Sequence, residues 1–229
     1  IPRYLEKHKN FSDDITKAFK DVFQKVDRGL ICEPSIEPRY AGTTACVVLL
    51  RDGRLTVSNA GDSRAVLARR CRDDGVLTAV QLSEDQNPDV PEEQERIERS
   101  GGYVSPPPEP GLSARVWLDP DHTQIGLAMA RSIGDHAVKD VGVIAEPVVT
   151  FHDIEEETDE FLILASDGVW EFISSEEAVA IVGEHLPKSG GATGACQALI
   201  EAAANRWHEE EGDYRDDITA LVVRLRELW

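Results

Sequence analysis

The 229-residue chain has no apolar run approaching the roughly 18 consecutive residues that a membrane span needs. It also lacks a basic segment leading into an apolar one, so neither a membrane anchor nor a signal peptide is legible. Cysteine is sparse: Cys32, Cys46, Cys71 and Cys196 are scattered without C-x-x-C pairing. That pattern favours free thiols in a reducing compartment over a disulfide framework, the cytoplasm with the nucleus as an alternative. Basic residues are outnumbered 24 to 43, and the net charge of −19 argues against nucleic acid or an anionic membrane surface as partner. The six histidines (His8, His122, His136, His152, His185, His208) show neither H-x-x-x-H nor H-E-x-x-H spacing, which makes zinc a poor candidate. No cysteine has arginine six positions on, there is no G-x-x-x-x-G-K-[ST] loop, and position 169 is valine. These absences remove a cysteine-based phosphatase, a P-loop nucleotide site and a haloacid-dehalogenase-type aspartate pair. Methionine is reduced to Met129, and the chain opens Ile1–Pro2. An initiator methionine is not normally removed ahead of isoleucine, so the natural protein is expected to begin upstream.

What is present is globular: 41% hydrophobic and 29% charged residues in a length that suits one domain, here expected to span 1–229. Phe11, Ile15, Ala18, Phe19, Val22, Phe23 and Val26 share a helical face over 11–28, with Ser12 available as N-cap. Strand patterns at 43–50, 55–60 and 64–70, separated by Asp52–Gly53 and Gly61–Asp62, predict an antiparallel meander. A short helix is predicted at 91–100, and "SPPPEPG" at 105–111 predicts a surface loop. A strand at 160–166, helices at 174–186 (with Ser174 and Glu177 spaced as a capping box) and 192–210, and a strand at 217–225 complete the series. Strands and helices fall in blocks rather than alternating, which predicts an α+β fold with antiparallel sheet.

Four aspartates stand beside a glycine or a second aspartate at strand ends: Asp62 in "SNAGDSRAV", Asp135 in "ARSIGDHAV", Asp167 in "LASDGVW" and Asp216 in "YRDDITALVV". Each alone is ordinary turn chemistry. If the strand ends converge, the four make a cluster of oxygen donors whose repulsion demands cations. Hard donors favour Mg2+ or Mn2+, and two such ions can activate a water and clamp a phosphoryl group.

In order, "AGTTACVVLL", "SNAGDSRAVL", "LSEDQNPDVPEEQERIERSGGYV", "GLAMARSIGDHAVK", "FLILASDGVWEFISSEEAV" and "DDITALVVRL" resemble the successive motifs of the PP2C-type (PPM family) metal-dependent serine/threonine protein phosphatases. The resemblance covers about residues 10 to 226. It implies an α-β-β-α sandwich of two antiparallel sheets flanked by helices, with two or three Mn2+ or Mg2+ ions at one end. It also implies hydrolysis of phosphoserine or phosphothreonine by a metal-bridging hydroxide, without a phospho-enzyme, in a monomer acting on phosphoproteins. By the same resemblance Asp167 and Asp216 match metal ligands, Asp62 a third and weaker metal site, and Asp135 a catalytic position beside the metal waters. Arg64 and Arg131 are either phosphate binders or partners of nearby carboxylates. The region from about Glu84 to Gln124 corresponds to a flap beside the site.

The departures are specific. Glu171 replaces a usual aspartate, Asp217 a usual asparagine, and the family's "DGHGG" element is not in the chain, with its expected place just before Ile1. They leave a second reading open, a catalytically inactive PP2C-fold regulatory or binding module.

Overall fold

The computed structural model describes residues 1–108 and 113–228. In chain order the elements are α1 (Pro2–Leu5), α2 (Ile15–Leu30), β1 (Gly42–Thr43), β2 (Ala45–Arg51), β3 (Arg54–Ala60), β4 (Arg64–Arg70) and β5 (Leu77–Gln81). Then follow α3 (Pro91–Arg99), β6 (Tyr103–Ser105), β7 (Arg115–Trp117), β8 (Ile133–Gly134), a 3-10 helix (His136–Val141), β9 (Val148–Asp153) and β10 (Asp159–Ala165). The chain ends with α4 (Asp167–Trp170), α5 (Ser175–His185), α6 (Gly191–Glu211), β11 (Ala220–Arg224) and a second 3-10 turn (Leu225–Glu227). No helix among the described residues is long and apolar enough to cross a membrane.

Contacts divide the chain into two compact units, each built from three segments. One comprises Ile1–Val47, Ser58–Asp62 and Asp85–Val149; the other comprises Val48–Val57, Ser63–Glu84 and Thr150–Trp229.

The second unit is organised on a four-stranded sheet of order β11-β10-β4-β5, antiparallel throughout. Alternation along β10 sends Phe161, Ile163 and Ala165 to one face, where they meet Val66 and Ala68 of β4. Helices α5 and α6 cover that face with Ala178, Val179, Val182, Ala195, Leu199 and Ala203. Fully burying a side chain such as Ile163 or Leu199 contributes about 1.5–3 kcal/mol each. Ser174 caps α5 by accepting the Glu177 N–H at 3.1 Å, as its spacing predicted.

β11 is the outer strand of this sheet. Ser166 N–H donates to Thr219 O on its inner side, so the backbone groups of Ala220 and Val222 face away from β10. Cys196 of α6 meets the first of these: its thiol donates to Ala220 O at 3.3 Å.

In the first unit α2 buries Ala18, Phe19, Val22 and Phe23, with the two phenyl rings edge to face at 6.3 Å. It begins at Ile15 rather than Phe11, because the cap is Asp14, whose carboxylate accepts the Lys17 N–H at 2.9 Å. Ser12 lies outside the helix, in a turn. Helix α2 lies against β8, which pairs with β1. A second apolar cluster joins Ile97 of α3, Val116 of β7, Ala130, Val138 and Val143. The segment 84–124 thus carries a helix and the β6–β7 hairpin with a share of this cluster. Residues 109–111 of the loop expected at 105–111 lie outside the described residues, and Ser105 belongs to β6.

The α+β expectation holds, but the single meander does not. β2 and β3 join β9 in a three-stranded sheet, whereas β4 belongs to the four-stranded one. The reason lies at Gly61, whose φ of +112° only glycine adopts readily. Its N–H donates to Gln86 Oε1 at 2.7 Å and its carbonyl accepts the Gln86 N–H at 3.1 Å. The turn's backbone is therefore engaged by Gln86 instead of closing a hairpin.

Candidate functional site

Strand β10 ends where burial ends. Phe161 to Ile163 and Ala165 are buried, and Ser166 then turns the chain into the single helical turn α4. Ser166 is a double link to the last strand: its hydroxyl donates to Asp217 O and accepts the Thr219 N–H, both at 3.1 Å. Gly168 is required by closeness, since a Cβ there would overlap the Asp217 carbonyl. Two indoles fix the turn, Trp170 Nε1 donating to Ala165 O at 2.8 Å and Trp207 Nε1 to Gly168 O at 2.7 Å. These bonds bring "DGVWE" against "DDIT", although 49 positions separate Asp167 from Asp216.

The electrostatic result is crowding. Burial first, then the charge of Asp216, raises the Asp167 carboxyl above its ordinary value. Lost hydration first, then Asp167, Asp216 and Glu211, raises Glu171. Among the described residues no lysine, arginine or histidine forms an ion pair with Asp167, Glu171 or Asp216. Hard oxygen donors that repel one another and lack a cationic partner fit Mg2+ or Mn2+. They do not make a whole site: no group of three or more His, Cys, Asp or Glu that could hold a metal ion occurs among the described residues. Arg64, on β4, donates to Ser175 Oγ at 3.1 Å and lies 5.1 Å over the Trp170 ring.

Asp62 and Asp135 belong to the first unit. Asp62 follows Gly61 in the bend after β3 and is half-buried. Asp135 stands in the left-handed region (φ 50°, ψ 43°) between Gly134, at φ 90°, and the 3-10 helix. It is 8% exposed, and its Oδ2 is buried without a hydrogen-bond partner. A Cβ on Gly42 would overlap that carboxylate. A buried acceptor without a protein partner is ordinarily met by an ordered water or a bound ion. The structure thus brings Asp167 and Asp216 together, with Glu171 added, and sets Asp62 and Asp135 in the other unit.

Arg131 is resolved in favour of a carboxylate partner. Its guanidinium straddles Glu93, with Nη2 at 2.6 Å and Nε at 3.0 Å, and also donates to Glu146 O. Three contributors escaped sequence reasoning: Ser166, Glu93 and Asp27. For Asp27 a signal existed, because it continues the Phe19–Phe23 row by four residues and so places a carboxylate on the apolar face of α2.

The profile of the family "Protein phosphatase 2C" matches residues 1–212. Two rice sequences (Oryza sativa subsp. japonica) are similar: probable protein phosphatase 2C 14, 40% identical over 205 residues, and probable protein phosphatase 2C 12, 42% identical over 213. They cover 90% and 92% of this chain, which in turn spans 38% and 53% of their lengths. Probable protein phosphatase 2C 6 of Arabidopsis thaliana is 38% identical over 213 residues, 93% of this chain and 42% of that protein. Among solved structures, the serine-threonine phosphatase 2C from Toxoplasma gondii superposes with a TM-score of 0.82 at 22% identity, over 97% of this chain and 77% of that one. A C. elegans sex determining protein gives 0.75 at 18% identity, over 97% and 50%. These two share the fold. With six motifs in order and a profile that spans nearly all of its length, the chain belongs to the protein phosphatase 2C family.

Proposed function

We propose that this chain carries most of the catalytic domain of a Mn2+- or Mg2+-dependent phosphatase acting on phosphoserine and phosphothreonine in proteins. The observation that carries the reading is the crowded set Asp167, Glu171 and Asp216 at the end of β10, which has no cationic side-chain partner among the described residues. Bound divalent ions would supply an activated water and neutralise charge on the phosphoryl oxygens. Asp167 and Asp216 would hold them, with Asp62 at a further ion. Glu171 reaches one methylene beyond an aspartate, which suits a contact through water. Asp135, with its unpartnered Oδ2, would accept a hydrogen bond from a water ordered beside the phosphate. Ser166 and Gly168 hold the two acidic segments in register. The expected partners are phosphoproteins and the expected state a monomer.

The alternative, a catalytically silent binding module, is favoured by the incomplete ligand set among the described residues and by Glu171 and Asp217. Phosphopeptide hydrolysis with and without Mn2+, measured on this chain and on the full-length protein, separates the two. Turnover by the full-length protein that requires Mn2+ and disappears in Asp167→Asn is the expected result. Full activity in that variant would remove Asp167 from the site, and no turnover in the full-length protein would favour the module.

A further inference from the structure

One carboxylate oxygen gathers three donors around the turn that contains Asp135. Asp27 Oδ1, on α2, accepts the Gly134 N–H at 2.8 Å, lies 3.2 Å from His136 Nε2 and 3.7 Å from Lys139 Nζ. Asp27 is 14% exposed, His136 16% and Lys139 19%, so water competes little for these contacts. The two shortest contacts flank Asp135 directly in sequence. Lys139 is also tied to Ser132 O at 2.5 Å, which closes the loop at its base. On the other side, successive amides of Asp135, His136 and Ala137 donate to Ala41, Pro38 and Arg39.

The turn needs such restraint. Gly134 and Asp135 are both left-handed, a region that aspartate tolerates at a modest cost which the surrounding bonds offset. The Asp135 carboxylate packs directly on Gly42, where any side chain would overlap it. We infer that Asp27 is a positioning residue: it clamps Gly134 and His136 so that the Asp135 carboxylate is held in one orientation in its slot against Gly42. The inference rests on the role of Asp135 proposed above. Asp27 itself touches no reacting atom.

The test uses the full-length protein with Mn2+ and a phosphothreonine peptide. Asp27→Ala should lower kcat by about 10- to 100-fold, the scale on which small displacements of a catalytic group act. KM should change by less than about twofold, because substrate binding is untouched. Hydrogen exchange at the Gly134 amide should accelerate about tenfold in the same variant, a readout independent of turnover. Asp27→Asn keeps an oxygen for Gly134 but loses the charge facing His136 and Lys139, so its kcat should be intermediate. Wild-type kcat in Asp27→Ala overturns the inference, as does lost kcat with unchanged Gly134 exchange. Should the alanine variant fail to fold, wild-type kcat in Asp27→Asn overturns it instead. Asp135→Asn, run in parallel, separates the two levels. Activity retained there defeats the reading of Asp135, whereas activity lost there but kept in Asp27→Ala defeats the clamp alone.

Discussion

Burial and the neighbouring Asp216 raise the folded-state pKa of Asp167, and the sign of its effect on stability follows. A carboxyl whose folded pKa exceeds its unfolded value, about 3.9, binds its proton more tightly in the native state. Native stability is then greatest below the unfolded value and declines as pH rises through the folded one. At neutral pH without divalent ions, Asp167→Asn is therefore expected to stabilise the chain. The rise in Tm would be about 2 °C if the relief is ~1 kcal/mol. Thermal scans should also show Mn2+ raising the Tm of the wild type but not of the variant. Gly168→Ala should act oppositely. The new Cβ pushes the Asp217 carbonyl away, costing about 1–3 kcal/mol and separating Asp216 from Asp167, which calorimetric titration would read as weaker Mn2+ binding. Asp167 and Asp216 were individually legible as acids at strand ends. Their proximity was not, because it depends on Ser166 bonding across 51 positions to Asp217, and spacing carries no trace of that.

At the scale of elements, α3 shows what an ion pair does inside a fold. Glu93 is 3% exposed; burial pushes its pKa up, but Arg131 and Arg96 outweigh burial and hold it below the ordinary glutamate value. The stability this supplies is complete above the unfolded pKa, about 4.3, and is lost as pH falls through the lower folded value. Glu93→Gln should cost about 3 kcal/mol at pH 7, since two guanidinium groups lose their buried anion. It should also flatten the acid limb of the stability profile, both readable from urea unfolding between pH 3 and 7. The helices were the most legible elements: Pro91 and Ser174 marked two starts that the structure keeps within a residue. Five strands, β5 to β9, were not foreseen; β6, β7 and β8 are only two or three residues long. β5 and β9 are only half-buried and mix charged or polar side chains with apolar ones, so neither alternates clearly. The β3–β4 connection was misread because Asp and Gly at a turn signal a hairpin only when the flanking strands share a sheet.

Over the whole molecule, the chain spans 38% and 53% of the two rice relatives and 42% of the Arabidopsis one. The activity of the complete protein is accordingly a matter for the full-length assay. Each compact unit is discontinuous in sequence, with segments as short as Ser58–Asp62. Reading such a chain by local pattern recovers its parts list but not which parts share a core. The surplus of 19 negative charges keeps copies apart at long range, yet charge does little once strands touch. There the thiol of Cys196 matters. By donating to Ala220 O, it engages one of the outward carbonyls of β11 that an edge strand otherwise leaves open to pairing. Cys196→Val, similar in volume but without hydrogen-bonding capacity, should leave the fold intact and raise the tendency to self-associate in light scattering. In that sense the sulfur stands where a neighbouring strand's amide would otherwise stand, as a hydrogen-bond donor to an edge carbonyl.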